Sequence, residues 1–455
     1  MEETKRRGVR LVLFPFPLQG HINPMLQLAS ILYSKGFSIT IIHTHFNSPN
    51  SSNYPNFTFV PIPDGLSDVQ DSITDGFSLL PLLNLTCKVP FRDCLVQLLS
   101  NAETEEEHIA CLISDPVMPF TQGVADSLKL PRLVLLTSSV QSFLAFAAYQ
   151  VLRQKGYLPI SDSQLETPVP ELPPLRVKDL PAIETQNLEI LYQFVDSMVN
   201  QLKASSGLTG NTFKLLEQSA LATFTQEFPI PIFTLGPFHK LYPALSSSLL
   251  SQDRSCIAWL DTQPPRSVIY VSFGSLASMD EDEFVEMAWG LANSKCPFLW
   301  VVRSGSVHGL EQVEPVWPDG FLEMISEKGC IIKWAPQQEV LAHPAVGGFW
   351  THNGWNSTLE SICEGVPMLC RPSFGDQKVN ARLVSHVWRV GLHMEENRLE
   401  RGEIERSIRR VMVEKEGEEM RERAKSLKEK VEVCVRKGGS SHQSLEDLIA
   451  HILSF

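Results

Sequence analysis

Twice along the chain, short apolar runs alternate with stretches whose apolar residues recur every three or four positions. Residues 10–17 form the first such run, and a strand buried on both faces reads as a near-continuous apolar segment. Asn23 then offers an N-cap and Pro24 the first helical position. Met25, Leu28, Ala29 and Leu32 follow at i, i+3, i+4 and i+7, and Gly36 closes the helix. Residues 37–43 give the next strand and complete a β-α-β unit; 109–114 and 132–136 are later strands of the same kind. The alternation restarts at 268–272, which runs into Phe273-Gly274-Ser275. Ser278-Met279-Asp280-Glu281 fits a capping box, and Phe284, Met287, Ala288 and Leu291 give the helix after it an apolar face. Strands over 298–302, 330–333, 346–350 and 366–370 follow, and the chain from Arg401 onward reads as charged helix. The pattern predicts an α/β fold of two doubly wound parallel sheets with a cleft between them. In such sheets ligands bind beyond the carboxyl ends of the strands.

Between the two blocks the punctuation changes. Pro168, Pro170, Pro173, Pro174 and Pro181 predict an ordered, irregular loop over 167–182. Pro237, Pro243 and Ser246-Ser247-Ser248 place the interdomain linker within 236–253. At roughly 100–200 residues per domain, two domains suit a chain of 455 residues. Hydrophobic residues at 43% allow two large cores, and a net charge of −13 argues against nonspecific binding to nucleic acid or anionic membrane. The nine cysteines are odd in number, irregularly spaced and without a CxxC, the pattern of reduced thiols in a cytosolic protein rather than of a zinc site. The apolar run behind Lys5-Arg6-Arg7 contains Pro15 and Pro17, so it reads as a strand and loop, not a secretory leader. No apolar stretch reaches the ~20 residues of a membrane helix.

The residues just after each strand carry the chemistry. Gln19-Gly20-His21-Ile22-Asn23-Pro24 follows the first strand, and a histidine there serves equally as a general base or as a packed cap. The strand over 109–114 ends at Asp115. An Asp in that place either caps the turn before Pro116 or orients a neighbouring imidazole. Thr351-His352-Asn353-Gly354-Trp355-Asn356-Ser357 joins a strand to a helix containing Leu359, Ile362 and Cys363. A strand, a glycine-containing turn and a helix N-terminus make either an ordinary turn without a ligand or an anion site, to which His352, Asn356 and Ser357 add donors. Neither a GxGxxG nor a Walker A sequence occurs, which leaves a nicotinamide oxidoreductase or a P-loop enzyme without support.

Trp334-Ala335-Pro336-Gln337-Gln338, His343-Pro344, the 351–357 turn, Glu360, Glu364-Gly365-Val366-Pro367 and Asp376-Gln377 together resemble the signature box of plant secondary-product UDP-glycosyltransferases. The resemblance extends over the chain: Gly20-His21-Ile22-Asn23-Pro24 is similar to the family's catalytic loop, and Val271-Ser272-Phe273-Gly274-Ser275 to its first C-terminal strand end. The subgroup it looks nearest to includes steviol-glycoside, cytokinin and small-acid glucosyltransferases. The resemblance implies the GT-B fold. Residues 1–240 would be an acceptor-binding Rossmann-like domain, 241–253 the linker, 254–439 the UDP-sugar domain, and 440–455 a helix returning to the first domain. It further implies a cytoplasmic monomer that uses UDP-glucose as co-substrate and needs no cofactor or metal. The acidic run Asp280-Glu281-Asp282 is read as the first turn of a helix, where it complements the dipole, rather than as a metal motif.

Residue by residue, the resemblance has Trp334 stack on uracil, with Ala335 and Gln337 reaching the base through backbone and side chain. Glu360 accepts from the ribose hydroxyls, and Ser275, His352, Asn356 and Ser357 hold the diphosphate. Trp355, Asp376 and Gln377 contact the sugar, and Thr137 touches its 6-hydroxyl. His21 takes the acceptor proton and Asp115 steadies the imidazolium. Trp355 with Gln377 goes with glucose in this family. Two departures stand out: Asn353 replaces the more usual Cys, and Pro116-Val117-Met118-Pro119 replaces a small residue and an aromatic pair. Phe16, Leu85, Phe143, Met198 and Leu202 are candidates for an apolar acceptor pocket, and equally for ordinary core. A sugar-nucleotide-binding regulator without catalysis remains the alternative; it predicts loss of His21 or Asp115, and both are present.

Overall fold

Strand β1 (Arg10–Phe14) shows why the first sheet is covered on both sides. Its side chains alternate between faces: Leu11 and Leu13 enter one apolar cluster, Val12 and Phe14 another. The computed structural model describes residues 8–66, 78–101, 108–183, 185, 187–242, 248–308, 316–326, 328–395 and 399–455. Residues 5–7 and 243–247, part of the basic N-terminus and of the expected linker, lie outside these. By their contacts the residues fall into two units. Met1–Leu165, Ile183–Leu249 and Glu432–Phe455 form the first, Glu166–Ala182 and Leu250–Val431 the second.

In the first unit β2 (Ser38–Thr44), β3 (Thr58–Ile62), β4 (Ile109–Ser114), β5 (Arg132–Leu136), β6 (Gly207–Gly210) and β7 (Ile232–Thr234) join β1 in the order β3-β2-β1-β4-β5-β6-β7. Every pairing is parallel. In the second, β8 (Val268–Ser272), β9 (Phe298–Val301), β10 (Gly329–Ile332), β11 (Val346–Thr351), β12 (Met368–Cys370) and β13 (Gly391–His393) run β10-β9-β8-β11-β12-β13, again all parallel. Each order reverses direction once, between β1 and β4 and between β8 and β11. These are the switch points at which open α/β sheets bind ligands. The helices that matter below are α1 (Gln19–Ser34), α2 (Phe120–Ser127), α3 (Leu188–Lys203), α4 (Glu281–Ser294), α5 (Trp355–Glu364), α6 (Gln377–Arg382) and α7 (Ser440–Ile452).

Several elements depart from the sequence reading. Helix α1 begins at Gln19, capped by Leu18, so Asn23 is not its N-cap and Pro24 is its sixth residue. The Leu18 carbonyl accepts from the His21 and Ile22 amides at 2.9 Å each, which closes the first turn ahead of the proline. His21 therefore rides on a helix rather than in a loop. The capping box of α4 lies two residues later than expected: Glu283 N–H donates to Asp280 Oδ1 at 2.7 Å while Glu283 returns the bond. The 167–182 segment, expected in the first domain, packs with the second unit. Arg176 binds Asp179 and Glu395, Arg382 Nε donates to the Pro174 carbonyl at 3.1 Å, and Gly375 N–H donates to the Ala182 carbonyl at 2.8 Å.

Helix α7 belongs to the first unit, against β7. Leu445, Leu448, Ile449 and Ile452 enter the cluster of Leu11 and Leu13, and Ser441 Oγ donates to the Gly236 carbonyl at 2.7 Å. Leu448 is fully buried. Leu448→Ala is expected to destabilise the first unit by about 2–4 kcal/mol, the range for a buried leucine whose cavity cannot collapse. Denaturant unfolding followed by a probe in that unit measures it, and a loss under about 1 kcal/mol shows that the helix is not part of that core.

Candidate active site

At the first switch point the chain brings together three side chains from three strand ends. His21 follows β1, Asp115 follows β4 and Thr137 follows β5. His21 Nδ1 lies 2.7 Å from Asp115 Oδ2, and Thr137 Oγ1 lies 3.0 Å from the same nitrogen. Asp115 is fully buried and His21 is partly exposed, with 27% of its side chain accessible. The short contact to a carboxylate places the proton on Nδ1, which leaves Nε2 as the basic nitrogen. The Val117 N–H donates to Asp115 Oδ1 at 3.1 Å, so both carboxylate oxygens are held. The two prolines flank this turn and shape it: Pro119 caps α2, the Met118 amide donates to the Asp115 carbonyl, and Asn84 Nδ2 donates to the Val117 carbonyl at 2.8 Å.

Of the five residues considered for an acceptor pocket, Phe16 lies against this group, its ring edge-on to His21 at 5.3 Å between centroids. Phe143 packs among Phe224 and Phe228, and Met198 and Leu202 are buried on α3. Leu85 is 77% exposed, so it is a surface residue of the first unit.

The second switch point gathers the signature residues. The β8 strand end turns through Gly274 at a φ of 72°, and the β11 end turns through Asn353 at 61°. Asn tolerates that left-handed conformation better than most residues, which gives the Asn353 departure a physical reason. His352 is enclosed between two glycines: a Cβ on Gly274 would stand 2.6 Å from its Nε2 and one on Gly354 2.5 Å. Helix α5 begins at Trp355, and the amides of a helix's first turn have no intrahelical acceptors. Asn356 and Ser357 sit on that turn and Ser275 on the opposite one. Burial, with the Arg303 charge acting in the same direction, lowers the His352 pKa to about 4. His352 is thus a neutral donor at pH 7, not a cation.

Sequence reasoning missed Arg303. Its guanidinium donates to the Gly274 carbonyl at 3.2 Å and the Ala277 carbonyl at 2.5 Å, so it pins the turn that carries Ser275. Its place just beyond a strand end was the available signal. Acidic residues 280–282 take the helix-cap role expected of them, with Asp280 capping α4.

Around the expected nucleoside site the polar groups engage each other. Gln337 Nε2 donates to Glu360 Oε2 at 2.7 Å and Ser357 Oγ at 2.9 Å, and its Oε1 accepts from Tyr270. The Gln337 side chain here braces Glu360 and Ser357. Gln338 Nε2 donates to Glu360 Oε1 at 2.9 Å. Burial raises the Glu360 pKa and the two amides oppose the rise. Each carboxylate oxygen has two acceptor sites, so the glutamines leave capacity for a diol. Trp334 follows β10 and its carbonyl accepts from Asp253 N–H at 2.8 Å, while Ala335 is buried beside it. Asp376 and Gln377 open α6. Gln377 Oε1 accepts from the amides of Ser373 and Phe374, which turns its NH₂ into the donor end. Asn380 Nδ2 donates to Asp376 Oδ2 and to the Asn353 carbonyl, each at 3.0 Å, and so ties the start of α6 to the turn after β11. Trp355 is buried, 6.4 Å from Trp388 between ring centroids.

Two parallel sheets with polar groups gathered at both switch points are the arrangement of the GT-B glycosyltransferases, and comparison with known proteins assigns the chain to that class. The family model for UDP-glucoronosyl and UDP-glucosyl transferase matches residues 78–427. UDP-glycosyltransferase 76B1 of Arabidopsis thaliana is 52% identical, with 100% of each chain covered. UDP-glycosyltransferase 76G1 of Stevia rebaudiana is 51% identical, covering 100% of this chain and 99% of that one. Among solved structures, Phytolacca americana UGT2 complexed with UDP-2fluoro-glucose and pterostilbene superposes with a TM-score of 0.82 at 28% identity, covering 97% of this chain and 98% of that one. The chain belongs to the UDP-glycosyltransferase family and is a UDP-dependent glycosyltransferase of the plant secondary-product type.

Two outcomes test the donor geometry. Gly274→Ala is expected to weaken UDP binding by about tenfold or more, because the added Cβ meets His352 and the backbone there has positive φ. Calorimetry with UDP measures it, and unchanged affinity separates that turn from the donor site. The second concerns pH. Folded His352 resists protonation relative to an unfolded pKa of about 6.5, so the unfolded chain binds more protons as pH falls. The associated stability is present above pH 6.5 and is lost between there and about 4. Between pH 7 and pH 5, His352→Asn is expected to lose about 1–2 kcal/mol less than the parent protein. Equal losses in denaturant titrations show that the imidazole is not buried neutral.

Proposed function

We propose that the protein transfers glucose from UDP-glucose to a hydroxyl, amine or carboxyl group of a small plant metabolite such as a terpenoid, phenolic or hormone, with inversion and without a metal. The observation that carries the reading is the 2.7 Å contact between His21 Nδ1 and Asp115 Oδ2, which leaves Nε2 basic. His21 takes the acceptor proton as the acceptor oxygen bonds to the anomeric carbon. The bond from that carbon to the diphosphate breaks, and UDP departs with the electron pair. Asp115 stabilises the imidazolium that forms.

The leaving charge falls to the first turn of α5, Ser275, Asn356, Ser357 and a neutral His352, an electrostatic role that needs no added cation. Glu360 takes the ribose diol, Trp334 and Ala335 the base, and Thr137 and Trp355 the hexose. Asp376 accepts and Gln377 donates, a pairing suited to adjacent sugar hydroxyls. The name of one structural relative, UDP-glucose: anthocyanidin 3-O-glucosyltransferase, supports glucose as the sugar. All nine cysteines are free thiols, which supports a reducing, cytoplasmic setting; among the described residues no helix is long and apolar enough to cross a membrane.

His21→Ala is expected to lower turnover about 10²–10⁴-fold with UDP affinity kept, since a general base contributes on that scale. UDP release from UDP-glucose with a panel of alcohols, phenols and acids, read alongside product mass, tests it. Undiminished turnover in His21→Ala removes the base assignment, and no product with any acceptor favours a UDP-sugar-binding regulator.

A further inference from the structure

Arg132 opens β5, one strand from the Asp115 turn, and only 1% of it is exposed. A buried cation normally sits against a carboxylate, because an unpaired charge in the interior is costly. Among the described residues, the hydrogen bonds of Arg132 go to neutral groups. Nε donates to Ser114 Oγ at 2.7 Å, and Nη1 donates to Gln122 Oε1 at 3.1 Å and to the Gln201 carbonyl on α3 at 3.2 Å. Burial lowers its pKa to about 9, although the charges of Asp115 and Asp126 oppose the fall. It therefore stays charged at neutral pH.

The bonds from Arg132 lead to the Asp115 turn. Ser114 Oγ accepts from Arg132 and lies 2.9 Å from Thr121 Oγ1, whose own proton goes to the Met118 carbonyl at 2.7 Å. Ser114 is therefore the donor to Thr121. The run Arg132, Ser114, Thr121, Met118 points every proton the same way, a direction in which each bond polarises the next. Met118 N–H closes the turn on the Asp115 carbonyl, and Val117 N–H holds Asp115 Oδ1. On the other side Gln122 Nε2 donates to Asp126 Oδ1 at 2.8 Å, which keeps the second acid at the far end of the guanidinium.

We propose that Arg132 is a positioning residue for the reaction, a buried cation that fixes the Ser114–Met118 turn and offsets the charge of the Asp115 carboxylate behind His21. This rests on the reading of His21 and Asp115 as the proton-accepting pair. Removing the cation makes a proton more welcome on that pair, so the active, unprotonated base is reached at a higher pH.

The test is the pH dependence of kcat/KM with UDP-glucose and an accepted alcohol, for the parent protein and three variants. Arg132→Met is expected to lower kcat about tenfold, with KM for both substrates within about twofold, and to move the acidic limb up by about half a unit or more. Arg132→Lys keeps the charge and is expected to return the limb to its original place. Ser114→Ala keeps the cation and cuts the run of bonds, so kcat falls about threefold or more with the limb unmoved. A folded Arg132→Met with unchanged kcat and limb overturns the proposal. If Arg132→Met does not fold, Ser114→Ala decides, and kcat equal to the parent's overturns it. His21→Ala separates the two readings: a variant that keeps full turnover removes the base itself, whereas an inactive one with an unmoved Arg132→Met profile removes only the role given to Arg132.

Discussion

Burial of both faces of a parallel sheet is the constraint from which the rest follows. Once Leu11 and Leu13 go to one side of β1 and Val12 and Phe14 to the other, no strand face remains for polar chemistry. The polar groups are displaced to the strand ends. There they meet where the strand order reverses, because at that point the connections diverge and leave a crevice. His21 and Asp115 flank one such reversal, Ser275 and His352 the other. The same topological accident, made twice, places a histidine-carboxylate pair in one unit and a glycine-rich turn before a helix N-terminus in the other, the groups to which the proposed proton-accepting and anion-binding roles fall.

How much of this the sequence discloses depends on whether a feature is local. Strands β4, β5 and β8 are legible to the residue, since β-branched and leucine runs admit little else in so short a space. Strand β6, Gly207–Gly210, is not: a segment of two glycines, a threonine and one leucine has no strand pattern of its own and is recruited by β5 and β7. The start of α1 was misplaced because Asn23-Pro24 is a strong local signal for a helix start, whereas the Leu18 carbonyl had already closed the turn. The segment at 167–182 reads as an irregular loop on composition, yet its assignment to the second unit rests on Arg176 with Glu395, over two hundred residues apart.

The site divides along the same line. Residue types at strand ends marked His21, Asp115 and the 351–357 turn as candidates, and the resemblance to a family supplied their roles. What neither supplied was the support behind them. Arg303 under the Gly274 turn, Asn380 between Asp376 and the Asn353 carbonyl, and the glutamines on Glu360 act through hydrogen bonds that join distant parts of the chain. No spacing rule announces such bonds. They are what turns a set of suitable side chains into fixed donors and acceptors, and fixed dipoles are what stabilises charge without reorganisation.

That support bears on the diphosphate-binding role proposed for the second switch point. A protonated His352 would offer a strong but indiscriminate attraction to any anion. Enclosed by Gly274 and Gly354 and shifted toward neutrality, it offers one directed donor instead. With the first turn of α5 beside it, the positive character of the site is spread over several dipoles, none of which needs a counterion when the site is empty. A buried cation is thus avoided at the turn in the second unit and accepted in the first, where Arg132 is hydrogen-bonded to neutral groups but lies within reach of the Asp115 and Asp126 charges. The difference follows from the charge each site must meet. On the roles proposed for them, the second unit's site meets an anion only when a sugar nucleotide binds, while the first holds its own permanent carboxylate at Asp115, and a permanent cation is the simplest complement to it.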